Sequence, residues 1–284
     1  VTRRQSSTRK PHKLALYRRA VQHPDAEVSF IHRVYRHYNK ATPPLLLRED
    51  FAGTAAVSSA WVRMDDEHQA MAVESHGPTT RWAQRAANHE LHERADDLHI
   101  VQADVMDVTG PKVDITCALN FSTFIYHDRN DLKQYFKAAR RALRPDGLLA
   151  VDAYGGPGAM RTGTQSVDIP TETSLDMPHE GSPPLPGFLY HWEQRSFDPI
   201  THRTECRIHF TLDDGQRLDN AFIYRWRLWT IPELLELMLE AGFSQAQAWC
   251  DRYDPKAGTS DGVYRPIKKM PARADWIAYV IGQK

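Results

Sequence analysis

The stretch LLLREDFAGTA (Leu45–Ala55) decides how this chain is read. A short apolar run, Leu45–Leu47, ends in Arg48, Glu49 and Asp50, and a turn of small residues around Gly53-Thr54 follows. A run this short, bounded by polar residues, has the character of a buried strand, not of a helix. The small residues beyond it let a ligand approach the backbone and meet N–H groups left free at the start of a helix.

The same unit recurs outward from that point. Gln69–Val73 ends in Glu74, Leu98–Gln102 in Ala103-Asp104, Val113–Leu119 in Asn120, and Leu148–Val151 in Asp152. Between the runs lie helical patterns. Leu132, Tyr135, Phe136, Ala139 and Leu143 share one helix face, which Pro145-Asp146-Gly147 ends with turn chemistry. Trp82, Ala86 and Leu91 mark a weaker face after Pro78. Strands alternating with helices predict an α/β fold, a doubly wound and mostly parallel sheet covered on both faces.

Residues 157–187 break the pattern, with six prolines and four glycines in 31 residues, and read as a long loop. The period then becomes two. Phe188–Phe197, Glu205–Leu212 and Arg217–Trp226 read as strands of an antiparallel insert. Thr230-Ile-Pro-Glu233 is a capping box opening a helix that Gly242 ends. Apolar strands near Gln245–Trp249 and Trp276–Ile281 close the sheet. The expected organisation is a tail and helical lid over 1–40, a core over 41–156 and 229–284, and the insert over 157–228 as a substrate lid or a dimer surface.

Composition narrows the function classes. The 284 residues are 41% apolar and 25% charged, which excludes a disordered or collagen-like chain. No run of 18 apolar residues is present, so no membrane-spanning helix is expected. Basic and acidic residues balance at 36 each, and seven of the basic ones fall in residues 1–24, where no acid occurs. That segment reads as a solvated tail. With no basic-aromatic stripe elsewhere, nucleic acid is not expected as a partner. Cys117, Cys206 and Cys250 form neither a disulfide framework nor a CxxC pair, which fits a reducing cytoplasm. The histidines show no zinc spacing, so no metal is expected.

In an open parallel sheet, ligands bind beyond the carboxyl ends of the strands. Glu74 stands 21 residues past Gly53 and can accept both hydroxyls of a ribose. Asp104 can accept from an exocyclic amine while the next N–H, of Val105, reaches a ring nitrogen. Together these positions outline a nucleoside. The ordered series EDFAGTA (Glu49–Ala55), AVES with Glu74, QADVMD with Asp104, ALNFSTFIY from Asn120, LRPDGLLAVD (Leu143–Asp152) and WTIPELLELMLEAGF (Trp229–Phe243) resembles class I S-adenosylmethionine-dependent methyltransferases. The likeness covers about 45–152 and 229–281. Phe51 and Ala55 depart from it, standing where that family usually has glycine. A nicotinamide-binding Rossmann domain also sets an acid about 20 residues after its glycine loop, but the GxGxxG pattern is missing here.

The resemblance implies S-adenosylmethionine as cofactor, held by Glu49, Phe51, Ala52, Gly53, Thr54, Glu74, Ser75, Asp104, Val105, Asn120 and Phe121, with Tyr17 closing from an N-terminal helix. Glu49 is expected near the cofactor's amino group, or else as a helix cap. His127 and Tyr126 are the candidate bases. Tyr154, Trp192, Arg225 and Trp229 are candidates for the acceptor site, the arginine suiting an anionic group. The reaction expected is in-line methyl transfer to a small-molecule N or O nucleophile. The alternatives are a cofactor-binding protein without transfer activity, suggested by Phe51 and Ala55, and an RNA methyltransferase using the basic tail.

Overall fold

A computed structural model describes residues 11–171, 185–254 and 256–284. The helices are α1 (Lys13–Val21), α2 (Pro24–Tyr38), α3 (Ala56–Met64), α4 (Gly77–Leu91), α5 (Arg129–Ala142) and α6 (Ile231–Glu240). The strands run β1 (Leu46–Asp50), β2 (Gln69–Val73), β3 (Leu98–Val101), β4 (Val113–Ala118), β5 (Leu143–Gly155), β6 (Gly163–Ile169), β7 (Phe188–Phe197), β8 (Arg203–Leu212), β9 (Arg217–Arg227) and β10 (Gln245–Cys250). Three two-residue strands, β11 (Tyr253–Asp254), β12 (Thr259–Ser260) and β13 (Arg265–Pro266), precede β14 (Trp276–Gln283).

The central sheet has the order β13-β10-β14-β5-β4-β1-β2-β3. β1 to β5 pair in parallel, and β14 enters antiparallel to both β5 and β10. This is the Rossmann-like architecture with β14 reversed, and the two-residue β13 at the edge is antiparallel to β10. The sheet needs cover on both faces because β4 is buried along its whole length. On one face α2 and α3 contribute Val28, Ile31, Val57 and Trp61 against Leu47, Ile115 and Ala150. On the other, α5 and α6 contribute Leu132, Phe136, Leu234 and Leu237 against Ala118, Leu149 and Val151. α6 opens with the expected capping box: Thr230 Oγ1 accepts from Glu233 N–H, and the Glu233 carboxylate accepts from Thr230 N–H.

The second sheet is β6-β7-β8-β9, antiparallel throughout. Alternate residues of β8, from Thr204 to Leu212, are buried, which is the period-two pattern of the sequence. The stretch read as a loop departs from expectation. Gly163–Ile169 is a strand pairing with Phe188–Gln194, stabilised by the edge that β7 offers although its own residues are mostly exposed. Part of that loop, 172–184, lies outside the described residues. Two further readings are corrected. The buried face of α4 is Thr80, Ala83, Ala87 and Leu91, one position away from Trp82 and Ala86, because Trp82 stacks on His12 at the surface. Pro145-Asp146-Gly147 lies inside β5: the register jumps from Val113↔Leu143 to Ile115↔Leu148, so Arg144–Gly147 bulge out and the strand resumes. Helix α2 is an addition to the sequence reading.

Candidate active site

The turn after β1 is built from left-handed residues. Phe51, Gly53 and Ala55 have φ of 57°, 54° and 54°. A side chain in that region costs roughly 1 kcal/mol, so the backbone keeps the conformation glycine would favour although two of the three positions carry a Cβ. The neighbouring strand holds it: Ala52 N–H donates to Val73 O at 2.9 Å, and Gly53 N–H donates to Glu74 Oε2 at 3.0 Å. A Cβ at Gly53 would meet only Phe51 O at 4.0 Å, so open space lies over the loop.

Two buried carboxylates shape what surrounds it. Glu49 Oε2 accepts from both the N–H and Oγ of Ser58, at 2.8 and 2.6 Å, and so anchors the first turn of α3. Asp152, at the end of β5, accepts the N–H groups of Asn120 and Phe121, each at 2.8 Å. Those two residues are again left-handed, with φ of 57° and 59°. The aspartate therefore fixes the turn that presents Asn120.

Two cavities open at this end of the sheet. The smaller, about 250 Å³, is lined by Leu14, Tyr17, Gln22, Thr54 and Glu74 together with the loop at Phe51–Gly53. The larger, about 560 Å³, lies under the insert and has an aromatic wall that includes Tyr154, Tyr190, Trp192 and Trp276. Tyr17, Asn120, Tyr224 and Trp226 line both. Helix α1 belongs to this roof. Leu16 packs with Phe188, Ile208 and Phe210 of the insert, Lys13 Nζ donates to Ala221 O, and Arg18 pairs with buried Glu90 of α4 at 2.6 Å.

The smaller cavity suits S-adenosylmethionine. It has open space over Gly53, a carboxylate at Glu74 positioned beside it, and apolar cover from Leu14 and Phe51. Glu74 ties the loop after β1 to its own turn, since its Oε1 also accepts His76 N–H at 2.7 Å. Glu74→Ala should therefore weaken S-adenosylhomocysteine binding about 10- to 100-fold by calorimetry; unchanged affinity would remove Glu74 from the site.

The structure brings together Tyr17, Phe51, Ala52, Gly53, Thr54, Glu74, Asn120 and Phe121, and places Tyr154 and Trp192 in the larger cavity. Glu49 lies beneath the loop as a cap on α3. Asp104 is exposed one strand further along the same edge and accepts Met106 N–H at 2.8 Å; neither it nor Val105 or Ser75 lines the two cavities. Tyr126 and His127 are also away from both. Tyr126 stacks on Tyr135, and His127 Nε2 lies 2.9 Å from Arg225 O. Arg225 faces outward beside Glu205, whereas its neighbours Tyr224 and Trp226 face the cavities, as strand alternation requires. Trp229 is buried, donating to Tyr126 O with Arg227 over its ring. Asp152, Gln22 and Leu14 were not singled out from the sequence; the position of Asp152 at a strand end was the available signal.

Burial raises three carboxyls here. Glu49 and Asp152 are each pushed up to about 7, and Glu27 of α2 to about 8, by burial first and then by the neighbouring Asp152 and Glu49. Glu27 Oε2 is buried with no hydrogen-bond partner. The folded protein keeps a proton on Glu27 that the unfolded chain releases near pH 4.5, so its contribution to stability falls as pH rises from about 4.5 to about 8. Glu27→Gln should accordingly raise Tm by more than about 2 °C at pH 8 and leave it unchanged near pH 4. An equal shift at both values would refute the linkage.

A parallel sheet with a reversed strand, a left-handed turn after β1, and an acid ending β2 beside it define a Rossmann-like fold with a candidate nucleoside site. Residues 51–151 match the family model of a methyltransferase domain, and that match, with the surrounding fold, supports S-adenosylmethionine-dependent methyl transfer. No curated protein matches it by sequence. Among solved structures it is similar to an S-adenosylmethionine-dependent methyltransferase from Clostridium acetobutylicum, at 16% identity and a TM-score of 0.63, over 95% of this chain and 96% of that one. It is similar to a sugar N-methyltransferase from Streptoalloteichus at 17% and 0.63, over 100% and 97%. An amino pentose methyltransferase from Micromonospora echinaspora aligns at 11% and 0.61, over 95% of each chain. At these identities the likeness carries the fold.

Proposed function

We propose that this enzyme methylates an amine nitrogen of a ring-bearing small molecule. One observation carries the reading. Among the described residues, the four that line both cavities, Tyr17, Asn120, Tyr224 and Trp226, include no carboxylate and no imidazole, and Asp251 and Asp275 line the larger cavity alone. Burial pushes the hydroxyls of Tyr17 and Tyr224 far above the usual tyrosine range, so neither serves as a base. A hydroxyl acceptor needs a proton acceptor within reach. A neutral amine does not.

S-adenosylmethionine, when bound, supplies a methyl carbon on a sulfonium and leaves as the thioether. The chain supplies the rest. Asp152 holds the Asn120 turn, and Tyr224, stacked on Trp226 at 4.4 Å, walls the meeting point. Exclusion of water disfavours the ammonium form of the acceptor and leaves the lone pair free. One positive charge passes from sulfur to nitrogen during transfer, and the faces of Tyr224 and Trp226 favour a cation throughout. The proton is lost to water after the product leaves. Alignment is the main catalytic contribution. The sugar N-methyltransferase and amino pentose methyltransferase among the similar folds support this acceptor chemistry.

The test is mass spectrometry of a panel of ring-bearing amines and the matching alcohols with S-adenosylmethionine. Methylation confined to the amines is expected. Equal turnover of the alcohols would overturn the assignment, and binding of S-adenosylhomocysteine with no turnover of any acceptor would favour a protein that binds without transferring.

A further inference from the structure

Part of the larger cavity wall has polar groups that the fold leaves unused. Arg273 and Asp251 both line it, and their side chains are only 7% and 12% exposed. Arg273 Nη2 lies 2.8 Å from Asp251 Oδ1, but the two are not aligned as a hydrogen bond. Arg273 Nε and Asp251 Oδ1 are each buried without a hydrogen-bond partner. The pair is nevertheless held in place: Ser260 Oγ donates to Asp251 Oδ2, and the guanidinium sits over the Tyr253 ring at 5.5 Å. A guanidinium has five donors and a carboxylate about four acceptor sites. Buried polar groups normally find partners, and an orphan costs free energy. Both residues line the cavity.

We propose that Arg273 and Asp251 form a subsite for a hydroxyl-bearing portion of the methyl acceptor, a deepening that rests on the amine reading above. Charge selects the ligand class. The pair is neutral as a unit, so a bare anion meets Asp251 and a bare cation meets Arg273. A hydroxyl both donates and accepts, and so suits a carboxylate and a guanidinium together. Tyr253, Tyr264 and Trp276 line the same cavity and add apolar ring surface for a ring's C–H groups. A site built to hydrogen-bond a hydroxyl also rejects the analogue lacking it, because its own groups are then left unpaired.

The test uses methyl glucosaminide and cyclohexylamine, two ring amines with and without hydroxyls. Each is titrated into the full-length protein with S-adenosylhomocysteine bound. Tryptophan fluorescence reports binding because Trp192, Trp226 and Trp276 line the cavity. The parent should bind methyl glucosaminide at least about 10-fold more tightly than cyclohexylamine. In Arg273→Met that preference should fall below about 2-fold, with the affinity for S-adenosylhomocysteine unchanged. Asp251→Asn, which keeps shape and one acceptor, should lose part of it and covers the case in which Arg273→Met does not fold. A parent without preference, or a preference that survives in both variants, overturns the subsite while leaving the amine reading intact. Failure of both amines to bind, or to be methylated when S-adenosylmethionine is supplied, overturns the amine reading itself.

Discussion

Arg48→Met is expected to destabilise the protein by about 3–5 kcal/mol, measured by urea unfolding. Arg48 is 1% exposed in the middle of the fold. Its guanidinium donates to Asp50 Oδ1 at 2.6 Å and to the carbonyls of Val105 and Val108 at 2.7 Å each. Tyr135 completes the group by donating to Asp50 Oδ2 at 3.0 Å. Removing the cation strands a buried carboxylate and two carbonyls. Asp50 is already raised to about 6 by burial, with Arg48 pulling the other way. Without Arg48 it would take up a proton, and that uptake moderates the loss. The double variant Arg48→Met/Asp50→Leu should recover most of it, because a buried ion pair replaced by apolar groups is often neutral. A loss under about 1 kcal/mol in the single variant would show that the pair is dispensable. The two carbonyls belong to the segment that follows β3 and carries Asp104, so the single variant should also loosen that segment.

Asp152→Ala is expected to lower kcat by more than about 100-fold and to cost about 2–4 kcal/mol of stability. Both effects come from the same two hydrogen bonds. Without the carboxylate, the half-buried N–H groups of Asn120 and Phe121 lose the acceptor that offsets their left-handed conformation. Asp152→Asn should be intermediate, since an amide oxygen accepts one N–H while its NH2 opposes the other. Stopped-assay turnover and urea unfolding check the pair of effects. A variant with normal kcat and reduced stability would confine Asp152 to folding.

Much of the core was legible because periodicity and burial go together. Gln69–Val73 and Phe188–Phe197 appear in the structure with the bounds read from their residues, and the capping box at Thr230–Glu233 marks the start of α6. Legibility failed where long-range partners override local preference. Gly163–Ile169 lacks a buried face of its own and becomes a strand through pairing with β7. The proline-glycine bulge at Arg144–Gly147 interrupts β5 without ending it, because Val113 and Ile115 hold the strand on both sides. The site divides in the same way. Gly53, Glu74 and Asn120 follow strand ends and could be placed by counting. Arg273 and Asp251 lie outside any motif and meet only through the folding of the segment between β10 and β14. His127 looked well placed by sequence distance, yet the turn beyond β4 carries it to the Arg225 carbonyl, away from both cavities.

The turn at Phe51, Gly53 and Ala55 has a consequence for energetics of association. Its shape is set by hydrogen bonds to Val73 and Glu74 and by the anchored start of α3, all within the chain itself. The entropy of ordering those residues is spent in folding, so ligand capture loses little to rigidification. A mould hardened in advance tolerates small changes of side chain at its rim far better than any change that softens the strand behind it.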